Sequence, residues 1–233
     1  MSEQISKIKL GFSTGTMYKH LTVEEALRTF LQHNIDAAEL CYVRHDRLQR
    51  EKLPVGMLKD FRYLSLHAPN DITYGDSKES EKVVQSTQKL HLVRPFDLVV
   101  FHPYEGMDVN FFERLPFPVG FENMDYNTPF GQTVNDLKKV FKNTNFKMVL
   151  DMNHAYTNDP TMKLARDFYL EFKNRITQIH LSGFEKFHEP LFKTRQQKIV
   201  EAIPDIALPI IVESVMQPRE IAQEKEYILQ NIQ

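Results

Sequence analysis

Eight short apolar runs punctuate this 233-residue chain at near-regular intervals. They fall at 8–13 (IKLGFS), 36–43 (DAAELCYV), 63–69 (YLSLHAP), 96–103 (FDLVVFHP), 118–125 (PVGFENMD), 146–154 (FKMVLDMNH), 175–183 (RITQIHLSG) and 208–215 (LPIIVESV). Most are continuously apolar rather than alternating, as expected of strands buried on both faces. Helical patterns lie between them, at 21–34, 77–93, 133–143, 161–174 and 219–232. The first has a capping box, with Thr22 as N-cap and Glu25 three residues on, and places Ala26, Leu27, Phe30 and Leu31 on one face. The link at 105–116 (EGMDVNFFERLP) is too short for a full helix, and the link between runs two and three is compressed. Eight strands alternating with helices predict parallel strands closed into a single (β/α)8 barrel domain over 1–233, with shortened helical elements between strands 2 and 5. The competing arrangement is an open doubly wound sheet. Its usual mark is a Gly-rich first turn, and GFSTGTM (11–17) does not fit G-x-G-x-x-G.

Composition excludes several functional classes. A formal net charge of −2 gives no global pull toward nucleic acid or an anionic membrane. Cys41 is the single cysteine, so no intramolecular disulfide can form, which suits a reducing compartment. The polar N-terminus has no secretory h-region, and the longest apolar stretches, such as 207–212, are too short to span a bilayer. A cytoplasmic location is expected, with no membrane partner.

In a (β/α)8 barrel the active site forms where strands end at the C-terminal face. Strands 3 and 4 end in His67 and His102. Strand 5 ends in Glu122, followed by Asn123 and Asp125, and strand 6 in Asp151, followed by His154. Strand 7 ends in His180, with His188 in its loop, and strand 8 ends in Glu213. Any one of these alone reads as a hydrogen-bonded structural residue or a surface marker. Six consecutive strands doing the same is different. Converging carboxylates and imidazoles repel or desolvate one another unless something neutralises them. A divalent cation does so, and a mixed His/Asp/Glu shell suits zinc or manganese. His33 and His91 read as solvated helix positions. His20 and His45 sit in loops after strands 1 and 2, on the active side but without an acidic companion.

The order and spacing of these residues resemble the xylose isomerase-like TIM-barrel superfamily, which includes endonuclease IV and many sugar or sugar-phosphate isomerases and epimerases. The resemblance runs from Leu10 to about Val215. It implies a metal site made by Glu122 of GFEN, Asp151 of LDMNH, His180 of IHLSG and Glu213 of IVES. Endonuclease IV carries further ligands, matched by His67 in LHAP, His102 in FHP, His154 and His188. One carboxylate of that set is missing. Lys186 stands two residues before His188, where the family has aspartate, and whether neighbouring Glu185 replaces it stays open. One to three ions are implied. In isomerase-type members the histidines can instead touch substrate oxygens.

Two chemistries follow. In the first, the chain is an isomerase or epimerase of a small sugar or sugar phosphate. One metal polarises a carbonyl, and Glu122 and Glu213 shuttle protons from opposite sides of the substrate. His154 and His188 would bind hydroxyls, and Arg44 or Arg47 in VRHDRLQREK could meet a phosphate, unless that loop is simply a solvated charge run. In the second, it is an endonuclease IV-like zinc phosphodiesterase acting on abasic DNA, with two or three metals. Such an enzyme needs inserted loops and many phosphate contacts. Here each of eight units averages only about 29 residues, and the family's Gly-rich stretch after the strand 5 glutamate is only echoed in 127–132 (NTPFGQ). The residues favour the sugar chemistry, with the nuclease second and a noncatalytic metal- or sugar-binding barrel third. The thinly covered side between strands 2 and 5 could dock a second copy as a homodimer. Phe111 and Phe112 of VNFFERLPF could contribute there, unless they cap the barrel wall.

Overall fold

The computed structural model describes residues 8–42, 44–50 and 55–232. Eight parallel strands close into a barrel in sequence order: β1 (Leu10–Ser13), β2 (Ala37–Cys41), β3 (Tyr63–His67), β4 (Leu98–Phe101), β5 (Val119–Glu122), β6 (Lys147–Asp151), β7 (Ile176–Leu181) and β8 (Ile210–Val212). Each lies inside one of the eight apolar runs. β8 closes on β1 through Leu10↔Ile210 and Phe12↔Val212. β1 and β2 approach closely at Gly11, where a Cβ would lie 2.5 Å from the Ala37 carbonyl oxygen.

The strands are apolar on both sides for two different reasons. Phe12, Leu40, Leu66, Phe101, Phe121, Leu150, Ile179 and Val212 belong to the large core between strands and helices. Residues of the opposite parity point into the barrel. There two small apolar clusters, Ala37/Tyr63/Ile211 and Leu98/Val100/Val149, plug the lower interior. Higher up, the inward positions become polar: Glu39, Ser65 and Gln178 are fully buried.

The helices follow the amphipathic patterns. Val23–Gln32 carries the expected Thr22/Glu25 capping box and buries Ala26, Leu27 and Phe30. Val134–Phe141 is capped in the same way by Thr133 and Asp136. Lys163–Phe172 packs on β6, and Ile221–Asn231 packs on the short helices that precede β8. The shortening foreseen between strands 2 and 5 applies to its two ends. Among the described residues, the link from β2 to β3 has only His45–Arg50 and a 3-10 turn at Leu58–Asp60, and that from β4 to β5 only Val109–Glu113. The unit between them carries Lys78–Val93, the longest helix among the described residues. Parts of the 43–52 loop, Val43 and 51–52, lie outside the described residues.

The aromatic segment after β4 is not a free surface. Phe111 and Phe112 are buried. Phe112 packs edge-on against Phe101 at 5.2 Å and Phe121 at 5.0 Å, and Phe121 in turn meets Phe146 at 5.2 Å. The rings substitute for the missing helix as the outer wall, so they cannot serve as a docking patch. No described helix is long and apolar enough to cross a membrane.

Candidate metal centre

The ends of the eight strands and the segments that follow them line one cavity of about 200 Å³ at the C-terminal face. His67, His102, Glu122, His154, His188 and Glu213 line it, with Tyr18 and Phe187 at its edge. Asp151 and His180 are fully buried beneath. Two groups of donor atoms lie within 4.8 Å of one another: His67/His102/Glu122, and Glu122/Asp151/His180/Glu213. Glu122 belongs to both. Its Oε1 lies 3.2 Å from His67 Nε2 and 2.6 Å from His102 Nε2, and its Oε2 lies 3.0 Å from His180 Nδ1.

Each arm is set by local structure. Asp151 ends β6 and is the N-cap of the helix Met152–Asn158, accepting the His154 N–H at 2.7 Å through Oδ1. That leaves Oδ2 buried without a hydrogen-bond partner. Asn123 locks the neighbouring strand end: it donates to the Asp151 carbonyl at 2.9 Å and accepts the Asp151 N–H at 2.8 Å. His154 Nδ1 donates to the Asn123 carbonyl at 2.8 Å and His67 Nδ1 to the Ala68 carbonyl at 3.0 Å, so in each ring Nε2 is the nitrogen left for the site. His180 faces the carboxylates with Nδ1, 3.3 Å from Glu213 Oε2 and 3.9 Å from Asp151 Oδ2.

Electrostatics agree with this geometry. Burial alone would raise Glu122, but His102, with His180 and His67, holds it well below the usual carboxylate range. Burial opposes ionisation of Glu213 too, yet His180 brings it down to about 2. Burial works against the His67 cation, but Glu122 pushes it up to about 9. Asp151 is raised, first by burial and then by repulsion from Glu122 and Glu213, with His154 opposing. A buried carboxylate with an orphaned oxygen, raised among other carboxylates, is a place where a cation fits. The donor set of imidazoles and carboxylates suits zinc or manganese.

Not every candidate is brought in. His154 and His188 meet edge-on at 5.5 Å, and His188 Nδ1 pairs with Ser182 Oγ at 2.8 Å. Among the described residues, no carboxylate completes a third cluster with them. Glu185 and Lys186 are exposed in a turn where both backbone N–H groups donate to Glu189. Arg44 and Arg47 are not among the residues lining the cavity. Arg44 is exposed and pairs with Asp46 at 3.2 Å. The expectation that His45 lacks an acidic companion is corrected: Asp71, from the loop after β3, accepts its Nδ1 at 3.0 Å and its backbone N–H at 2.8 Å. His91, expected in solvent, is half-buried and accepts the Phe96 N–H at 3.0 Å.

One buried residue escaped the sequence reading. Glu39, in the middle of β2, is fully buried and lies 3.2 Å from His180 Nε2, on the side of the ring away from the other carboxylates. A lone glutamate inside an otherwise apolar strand was the available signal, since a buried charge requires partners.

No family model matches the chain, and no curated protein matches it. Solved structures do. Endonuclease IV from Thermus thermophilus aligns with a TM-score of 0.69 at 16% identity, over 95% of this chain and 98% of that one. D-allulose 3-epimerase from Methylomonas sp. gives 0.66 at 14%, over 97% and 98%. 3-keto-D-glucoside 4-epimerase from E. coli gives 0.63 at 10%, over 96% and 99%. The chain thus has the fold of the xylose isomerase-like TIM barrels, a fold shared by sugar epimerases and endonuclease IV alike.

Proposed function

We propose that this protein is a two-metal phosphodiesterase of the endonuclease IV kind, with abasic-site DNA as the first substrate to test. The observation that carries this reading is the sharing of Glu122 between two donor clusters. Its two oxygens face different sets of ligands, His67 and His102 on one side and His180 on the other. In a single-ion epimerase the His67/His102 arm would hold no ion and would serve only to meet substrate oxygens. The residues alone favour the sugar chemistry; the geometry of Glu122 moves the balance.

Divalent ions in the two clusters would supply Lewis acidity to a phosphoryl oxygen. His67 and His102 would hold one ion, Asp151, His180 and Glu213 the other, with Glu122 between. His154, fixed through Nδ1 to Asn123, presents Nε2 for a substrate oxygen. Burial opposes its cation, but Asp151 and Glu122 raise it, so it can donate a hydrogen bond to an anion. Neighbouring His188 is lowered, first by burial and then by His154, so the two imidazoles at the edge are shifted in opposite directions.

A second reading remains: a metal-dependent epimerase of a small unphosphorylated sugar. It is favoured by the cavity itself, which is small, rimmed by Tyr18 and Phe187, and lined by no lysine or arginine among the described residues. Metal content and activity separate the two. The expected result is two zinc ions per chain and incision of a duplex carrying one abasic site. His67→Ala should drop the content to one ion and reduce incision at least a hundredfold. One ion per chain, no incision, and interconversion of ketohexoses such as D-allulose and D-fructose would overturn the proposal in favour of the epimerase.

A further inference from the structure

The geometry assigns Glu39 as the positioning residue that selects which nitrogen of His180 faces the metal centre. The inference rests on the metal reading of the site but not on which reaction the site performs. The other ring nitrogens behind the centre donate to backbone carbonyls, Ala68 for His67 and Asn123 for His154. His180 is different. Its ring is fully buried, and behind it Nε2 meets a carboxylate, Glu39 Oε2, at 3.2 Å. Ser65 Oγ donates to the same oxygen at 2.9 Å and Gln178 Nε2 at 2.8 Å. Glu39 Oε1 is buried without a hydrogen-bond partner, so every donor that meets this carboxylate, the His180 ring included, gathers on Oε2.

Gln178 competes for the ring. Its Nε2 lies 2.6 Å from His180 Nε2, a separation in which only one of the two nitrogens can place a hydrogen. If the amide donates there, the neutral ring carries its proton on Nδ1, which faces Glu122 and Glu213 and would repel a cation. If the ring donates from Nε2 to Glu39, Nδ1 offers its lone pair to the metal. A charged acceptor wins this competition over a neutral amide. Tyr63 helps by donating to Gln178 Oε1 at 2.7 Å, which fixes the amide with its nitrogen toward Glu39. Carboxylates behind ligating histidines elsewhere set ring tautomer and ligand strength in this way.

The test uses Zn²⁺ as the only probe. In the zinc-loaded wild type, nitrogen-15 side-chain spectra should show His180 bonded to zinc through Nδ1 with a proton on Nε2. Zinc bound through Nε2 of His180 would overturn the assignment while leaving the metal site intact. No zinc bound at all would overturn both. Glu39→Gln should weaken zinc binding ten- to hundredfold in chelator competition, since the amide can no longer outcompete Gln178. Gln178→Met removes the competitor and should keep affinity within about threefold of wild type, even where the melting temperature falls. A purely structural role for Glu39 predicts the opposite: both variants losing affinity only in proportion to stability, or Glu39→Gln binding zinc as tightly as wild type.

Discussion

Asp151 shows how one side chain can serve the fold and the site together. Oδ1 caps the helix Met152–Asn158, while Oδ2 is buried with no partner among repelling carboxylates. Two substitutions separate these jobs. Asp151→Asn keeps a good N-cap and removes the charge, so metal-free stability should be unchanged or higher while zinc affinity falls more than tenfold. Asp151→Ala loses the cap as well and should cost about 1 kcal/mol in urea unfolding of the metal-free protein. Equal stability loss in both variants would mean that the carboxylate acts only as a cap. Glu122, Asp151, His180 and Glu213 were legible in the sequence because each ends an apolar run, where a charge marks the mouth of a barrel. Glu39 was not, because its neighbours in DAAELCYV are what any buried strand contains, and its partners Gln178 and His180 lie far along the chain. Asn123 was noticed only as a neighbour of Glu122. Its role comes from pairing with the next strand, which no local pattern encodes.

At the scale of elements, strands and amphipathic helices were legible because burial imposes periodicity on them. The irregular segments were not. Met152–Asn158 was absorbed into the sixth run, since a capping aspartate looks like a strand end when the next residues are Met, Asn and His. The short helices Leu191–Thr194 and Gln197–Glu201, between β7 and β8, have too little length for an amphipathic pattern. The first of them is instead pinned by a distant residue. Glu224, fully buried in the last helix, accepts the N–H groups of Leu191 at 2.9 Å and Phe192 at 3.0 Å and the hydroxyl of Ser214 at 2.6 Å. Ser214 follows Glu213, so this carboxylate ties the covering helix to a metal-ligand candidate. Glu224→Leu leaves two backbone donors unpaired, each worth about 1–3 kcal/mol. Urea unfolding should register a loss of at least about 2 kcal/mol, with zinc affinity reduced severalfold as Glu213 loosens. A neutral effect on stability would show that solvent reaches those donors.

Over the whole molecule, a closed barrel normally fills its interior with branched aliphatic layers. Here the apolar filling stops at Leu98, Val100 and Val149, and the upper layers are carboxylates, imidazoles and amides. The alternation of strands and helices predicted closure, but whether such a polar upper core is tolerable depends on charge pairing through space. That pairing makes stability depend on pH in a definite direction. His67 is raised to about 9 against an unfolded value near 6.5, so its contribution in metal-free protein is complete below about pH 6.5 and is lost as pH rises through about 9. Glu213 is lowered to about 2, so its contribution is complete above about pH 4.3 and is lost as pH falls toward its folded value. Metal-free protein should therefore be most stable between about pH 4.5 and 6.5. Zinc needs the same histidines deprotonated, so its binding strengthens over the range in which the metal-free pairs weaken. At a free zinc concentration 100 times the dissociation constant the ion adds about 2.7 kcal/mol, and that ratio grows with pH. The gap in melting temperature between zinc-loaded and metal-free protein should widen steadily from pH 6 to pH 9. A gap that stays constant or narrows across that range would mean that His67 and His180 are not ligands, and that the paired core is a structural device alone.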